Sequence, residues 1–193
     1  MRRLETKLDG PILFEPTTHG DERGFFAETY RRSVFAELGV PEEMVQDNHS
    51  RSSRGIVRGM HFQIGAGAAK LVRCARGAIY DVVVDVRRGS PTFGHWEGFE
   101  LTEDNLRMAY CPVGFAHGFC VVSDVADVMY KQSNYYADET ERGISFRDPD
   151  VAIEWPLPAD ELIPSARDLQ APNLSEIREE LPFAYEANPA RTR

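Results

Sequence analysis

Lys70-Leu71-Val72-Arg73-Cys74-Ala75-Arg76, then Gly77, then Ala78-Ile79-Tyr80-Asp81-Val82-Val83-Val84-Asp85-Val86-Arg87: two short runs rich in apolar and β-branched residues, divided by a glycine. Such runs read as strands. The same pattern extends outward in both directions. Ile12 to Pro16, Gly24 to Tyr30, Val45 to Ser50 and Gly55 to Gln63 precede it, and His95 to Leu101, Arg107 to Cys111, Gly118 to Val122 and Asp127 to Asn134 follow. Their number and spacing predict an all-β sandwich or barrel. Two peripheral helices are expected, one from Ser33 to Leu38 on the spacing of Val34, Phe35 and Leu38, the other after Asn173 and Ser175 through Glu180. No repeat, low-complexity tract or linker divides the chain, so one domain over residues 1–193 is expected, with a loose tail from about Glu186 to Arg193.

Composition narrows the classes. The 193 residues, 42% hydrophobic, suffice for a full core. No apolar run reaches the length of a membrane span, and the charged start, Met1 to Asp9, is not followed by the apolar stretch of a signal peptide, so a cytoplasmic protein with no membrane partner is expected. Cys74, Cys111 and Cys120 are odd in number, lack CxxC spacing and sit among apolar neighbours, which reads as buried small hydrophobes. A net charge of −9 argues against nucleic-acid partners. The charge is uneven, however: residues 1–90 carry 14 Lys+Arg against 12 Asp+Glu, and residues 91–193 carry 8 against 19. An anionic small molecule finds its cations in the first half.

Polar residues interrupt runs that should bury apolar ones. Gln46, Asn48 and Ser50 fall on one face of a strand, which is either the lining of a polar lumen or a solvated outer face. In the next strand, parity sets His61 and Gln63 with Val57 and turns Arg58 and Met60 the other way, so Arg58 and His61 share a site only if Gly59 hosts a bulge or kink. His61 alone reads as readily as a structural histidine. Asp81 lies inside an apolar run where an unpaired carboxylate is costly, and pairing with Lys70 is a natural solution, catalytic or merely structural. Tyr130, Tyr135 and Tyr136 add phenols late in the sheet. The segment Pro112-Val113-Gly114-Phe115-Ala116-His117-Gly118 has the PxGxxH spacing of the second cupin motif, with its histidine aimed inward. The first cupin motif would need HxH, but the corresponding place reads His61-Phe62-Gln63, which leaves no ligand set for a metal. Phosphate-binding glycine loops and nucleophile elbows are absent.

Together these blocks resemble the dTDP-4-dehydrorhamnose 3,5-epimerase family and its deoxysugar 3-epimerase and 5-epimerase relatives. The likeness runs from about Phe14 to Asp168 and rests on Asp21-Glu22-Arg23-Gly24-Phe25-Phe26, Gln46-Asp47-Asn48-His49-Ser50, Arg58-Gly59-Met60-His61-Phe62-Gln63, Lys70-Leu71-Val72-Arg73, the Asp81 to Arg87 run, Gly89 to Gly94, Gly114 to Phe119, Tyr130-Lys131 and Ser165-Ala166-Arg167-Asp168. The resemblance implies a cupin-type jelly-roll barrel with a few short helices, a homodimer that shares strands, no cofactor, and a dTDP-linked 4-keto-6-deoxy sugar as substrate. By motif position it makes His61 the base, Asp168 its orienting carboxylate, Tyr130 the proton donor, and Lys70, supported by Asp81, the stabiliser of the enolate. Arg23, Phe26, Glu28, Gln46, Asn48, Arg58, His117, Tyr136 and Arg167 match positions associated with nucleotide, phosphate or sugar contacts. Met60, Phe62, Arg167 and the stretch Ile144 to Asp148 depart from the common pattern, which leaves open an epimerase acting at one carbon in an antibiotic deoxysugar route. A metal-dependent cupin and a non-catalytic nucleotide-sugar-binding cupin are the readings of other classes.

Overall fold

A computed structural model describes residues 1–186, and all but the first residue of the expected loose tail, Glu186 to Arg193, lies outside the described residues. In chain order the elements are β1 Arg2–Leu4, β2 Ile12–Glu15, β3 Thr18–Asp21, β4 Gly24–Ala27, α1 Arg32–Glu37, β5 Gln46–Ser53, β6 Val57–Gln63, β7 Lys70–Arg76, β8 Ala78–Asp85, β9 Trp96–Thr102, β10 Met108–Cys111, β11 Phe115–Val121, β12 Val125–Gln132, β13 Glu141–Gly143, α2 Ala166–Leu169 and α3 Leu174–Ile177. A six-stranded sheet runs β1-β2-β10-β7-β12-β5 and a five-stranded sheet runs β13-β6-β11-β8-β9, while β3 and β4 form a separate hairpin. The neighbouring strands of each sheet are antiparallel. This is the expected jelly roll, with strand β7 at the bounds the sequence gives it.

Alternation along the strands sorts the apolar side chains into three layers. Between the sheets lie Val72, Cys74, Ile79, Val83, Phe115, Phe119 and Val128. The far face of the five-stranded sheet buries Val57, Met60, Phe62, Val82 and Val84 beneath Ile144, Phe146, Leu157, Leu174 and Phe183 of the later chain. Outside the six-stranded sheet, Phe14, Leu71, Met108 and Tyr110 pack with Phe35 of α1. All three cysteines are buried and unpaired. Among the described residues no helix is long and apolar enough to cross a membrane.

The pairing of β6 with β11 answers the parity problem. His117 stands opposite His61 and Phe119 opposite Arg58, so three steps on β6 are matched by two on β11. One extra residue on β6 brings Arg58 and His61 to the same face. Gly59 sits in that irregularity at φ 130°, and a Cβ there would lie 2.5 Å from the Cα of Gly118. Four short elements escape the strand and helix patterns above: β1, β3, the three-residue β13 and the single helical turn α2.

Candidate active site

A cavity of about 410 Å³ opens between the sheets. The six-stranded sheet contributes Ser50, Lys70, Tyr130 and Gln132, and the five-stranded sheet contributes Arg58, His61, Gln63, His117, Phe119 and Glu141. The segment from Ile163 to Asp168 closes one side. The face carrying Gln46, Asn48 and Ser50 is therefore the lumen face, since Asn48 stands opposite Tyr130 and Gln46 opposite Gln132 in the ladder. Asn48 Nδ2, Ser50 Oγ and Gln132 Nε2 are buried without a hydrogen-bond partner in the protein, which suits a wall meant for a polar ligand.

His61 Nε2 lies 2.7 Å from Asp168 Oδ1, so the other ring nitrogen, Nδ1, is left for the cavity. Burial by itself would raise the Asp168 carboxyl; its bond to His61, the imidazole charge and the hydrogen bonds of Ser165 outweigh that and hold it below its ordinary value. Lys70 is half-buried in the cavity wall. Desolvation pulls its ammonium below the usual lysine range, opposed by Cys111, Glu141 and Asp81, and its Nζ donates to the His61 carbonyl at 3.4 Å. Burial, with the nearby Glu141 carboxylate, pushes the Tyr130 phenol up against the pull of Arg58, so the neutral, proton-donating form is favoured.

The expected Lys70–Asp81 pair does not form as a contact. Asp81 Oδ1 is 2.7 Å from His117 Nε2, its Oδ2 is buried without a partner, and it acts on Lys70 only through space. The reason is register: Asp81 on β8 lies beside β11, which carries His117, whereas Lys70 is on the opposite sheet. Arg23, Phe26 and Glu28 also stand apart from the cavity lining. Phe26, which is 71% exposed, and Arg23 ride on the β3–β4 hairpin, where Arg23 pairs with Asp21; Glu28, just beyond it, pairs with Arg31. Gln46 lies at the rim: its Oε1 accepts the Tyr136 N–H at 2.9 Å and its Nε2 donates to Asn48 at 2.9 Å.

Glu141 is the residue that sequence reading misses. Its Oε2 accepts from the Tyr136 hydroxyl at 3.0 Å and pairs with Arg167, while its Oε1 lies 4.0 Å from His61 Nδ1. Nothing in Asp138-Glu139-Thr140-Glu141-Arg142 distinguishes it from a solvated acidic turn; only the pairing of β13 with β6, Glu141 opposite Gln63, turns it inward. Among the described residues no three His, Cys, Asp or Glu side chains converge as metal ligands.

The family model described as dTDP-4-dehydrorhamnose 3,5-epimerase matches residues 5–176. The chain belongs to that family. It is thus an isomerase of the epimerase type, which sets aside the reading as a mere binding protein. A dTDP-4-dehydrorhamnose 3,5-epimerase of Shigella flexneri is 48% identical over 159 residues, 81% of this chain and 88% of that protein. A dTDP-4-dehydrorhamnose 3-epimerase of Streptomyces niveus is 43% identical over 181 residues, 93% of this chain and 86% of that protein. Among solved structures, the dTDP-6-deoxy-D-glucose-3,5-epimerase of Legionella pneumophila Philadelphia 1, in complex with dTDP-4-keto-L-rhamnose, superposes with a TM-score of 0.93 at 43% identity, covering 96% of this chain and 99% of that one.

Proposed function

We propose that this epimerase inverts C3 and C5 of a dTDP-linked 4-keto-6-deoxyhexose, with dTDP-4-dehydro-6-deoxy-D-glucose as the best-fitting substrate. One observation carries the reading: His61 and Tyr130 line the same cavity from opposite sheets. A sugar ring lying between sheets spaced about 10 Å apart presents one face to each. His61 Nδ1 removes the proton beside the ketone, and the C–H electron pair moves into the carbonyl to give an enolate whose oxygen is met by Lys70. Asp168 on Nε2 fixes the tautomer and favours the imidazolium that forms. Tyr130 then returns a proton to the same carbon from the other side. One inversion leaves a protonated His61 and a Tyr130 phenolate, and exchange with solvent resets both. The balance needs no redox partner and no metal.

Arg58 and Arg167 supply guanidinium groups for the diphosphate at the open side of the cavity, with His117, Tyr136, Gln46 and Asn48 as further polar contacts. Arg23, Phe26 and Glu28 reach a ligand if a second copy lays its hairpin across the mouth, which is the support here for a homodimer. The similarity to a 3-epimerase keeps a single-carbon reaction as the second reading. Incubation with dTDP-4-keto-6-deoxyglucose in D₂O, followed by NMR, decides between them. Deuterium at both C3 and C5 is the expected result; deuterium at C3 alone makes the protein a 3-epimerase, and none at either carbon overturns the proposal.

A further inference from the structure

The turn that carries Asp168 has almost nothing of its own to hold it. Helix α2 is four residues long, and Asp168 is its only buried residue; Leu169, its one large apolar side chain, is 59% exposed. A single turn is not self-supporting, because nucleation fixes several dihedrals for one hydrogen bond. No apolar face anchors it either. Its entry is firm: Ile163 is bridged to Ile56, with its N–H on the Gly55 carbonyl at 2.8 Å and its carbonyl on the Val57 N–H at 3.1 Å. Between that anchor and Asp168 the turn is defined by Ser165, an extended residue at φ −73° and ψ 162° whose Oγ accepts the Asp168 N–H at 3.1 Å.

The angle of this turn sets two contacts to the same imidazole. Asp168 takes Nε2 directly at 2.7 Å, and Arg167, the preceding residue, holds Glu141, whose Oε1 stands 4.0 Å from Nδ1. Rotating the turn displaces both partners together. We propose that Ser165 is a positioning residue for catalysis, its hydroxyl capping α2 so that Asp168 and Arg167 meet their partners at the correct angle around His61. The proposal rests on the reading of His61 as the base and Asp168 as its orienting group.

Ser165→Thr and Ser165→Val, nearly identical in shape, separate the hydroxyl from everything else. Loss of a cap hydroxyl weakens the capped turn by roughly 5- to 30-fold, so Val is expected to lower kcat for solvent exchange at the sugar carbons by a comparable factor with KM unchanged. Thr restores the rate. In an Asp168→Asn background, Val is expected to add a clearly smaller loss, since only the Arg167–Glu141 contact is left for the cap to position. Equal rates for Val and Thr overturn the proposal. So does a Val loss of undiminished size in the Asp168→Asn background, which would mean that Ser165 touches the substrate or merely supports the fold. Asp168→Asn alone distinguishes the two levels of failure. Wild-type exchange in that variant sinks the dyad and Ser165 with it, whereas lost exchange beside matching Val and Thr rates removes Ser165 alone.

Discussion

Two histidine–aspartate pairs stand on neighbouring strands, His61 opposite His117, each closed by a contact of 2.7 Å, yet they are built differently. The carboxylate of His117 is Asp81, held inside the sheet on the adjacent strand β8; the carboxylate of His61 is Asp168, carried in from a distant turn. Side-chain exposure follows this construction: 7% and 0% for His117 and Asp81, 25% and 4% for His61 and Asp168. A pair whose members are both locked in strands is part of a wall. A pair with one member on a turn leaves its imidazole open to the cavity, as a base requires. In the proposed reaction the same two residue types therefore serve different ends, and what separates them is the element that delivers the carboxylate.

The strongest way to break this contrast is to delete His61. His61→Ala is expected to reduce kcat by about 10²–10⁴-fold, the usual range for a positioned general base, with its thermal transition close to wild type. If turnover survives near the wild-type rate, the base is wrongly assigned. Next in size is removal of the carboxylates. Asp81→Ala leaves the buried Nε2 of His117 without its partner and is expected to cost about 2–5 kcal/mol in denaturant unfolding. Asp168→Ala leaves His61 facing a cavity where water can replace the lost partner, so its cost to stability is expected below about 2 kcal/mol, with the main loss in turnover. Equal stability losses would erase the distinction between wall and base.

The same contrast explains what the sequence discloses. Apart from the polar β3, the strands from Ile12 to Gln132 are legible because their apolar residues alternate or cluster between glycines and turns, and the inward histidine of β11 follows from PxGxxH spacing. The Arg58–His61 conflict is visible as a parity violation, and Gly59 is visible as its remedy. Partner choice is not legible. Asp81 gives no sign that it will take His117 in place of Lys70, because that depends on which strands become neighbours. Ser165-Ala166-Arg167-Asp168 has too few apolar residues for periodicity to mark a helix, and Glu141 is hidden in an acidic turn. Both act through contacts far away in sequence, 107 residues in the case of His61 and Asp168. Residue types and strand faces are local information, whereas the delivered carboxylates are a product of topology.

The smallest expected effect is a pH dependence. The Asp168 carboxyl is held below its ordinary value of 3.8, with burial working against the bond to His61 and the hydrogen bonds of Ser165. A carboxyl depressed in the folded state binds fewer protons there than in the unfolded chain, so it adds stability above the unfolded value, and that contribution disappears as pH falls through the folded value. The stability difference between wild type and Asp168→Asn is therefore expected to shrink as pH falls below about 4. Urea midpoints of the two proteins across that range measure it. A difference that stays constant down to about pH 2 would mean that the folded protein does not favour the ionised Asp168, and His61 would then lack the charged partner that its role as a base requires.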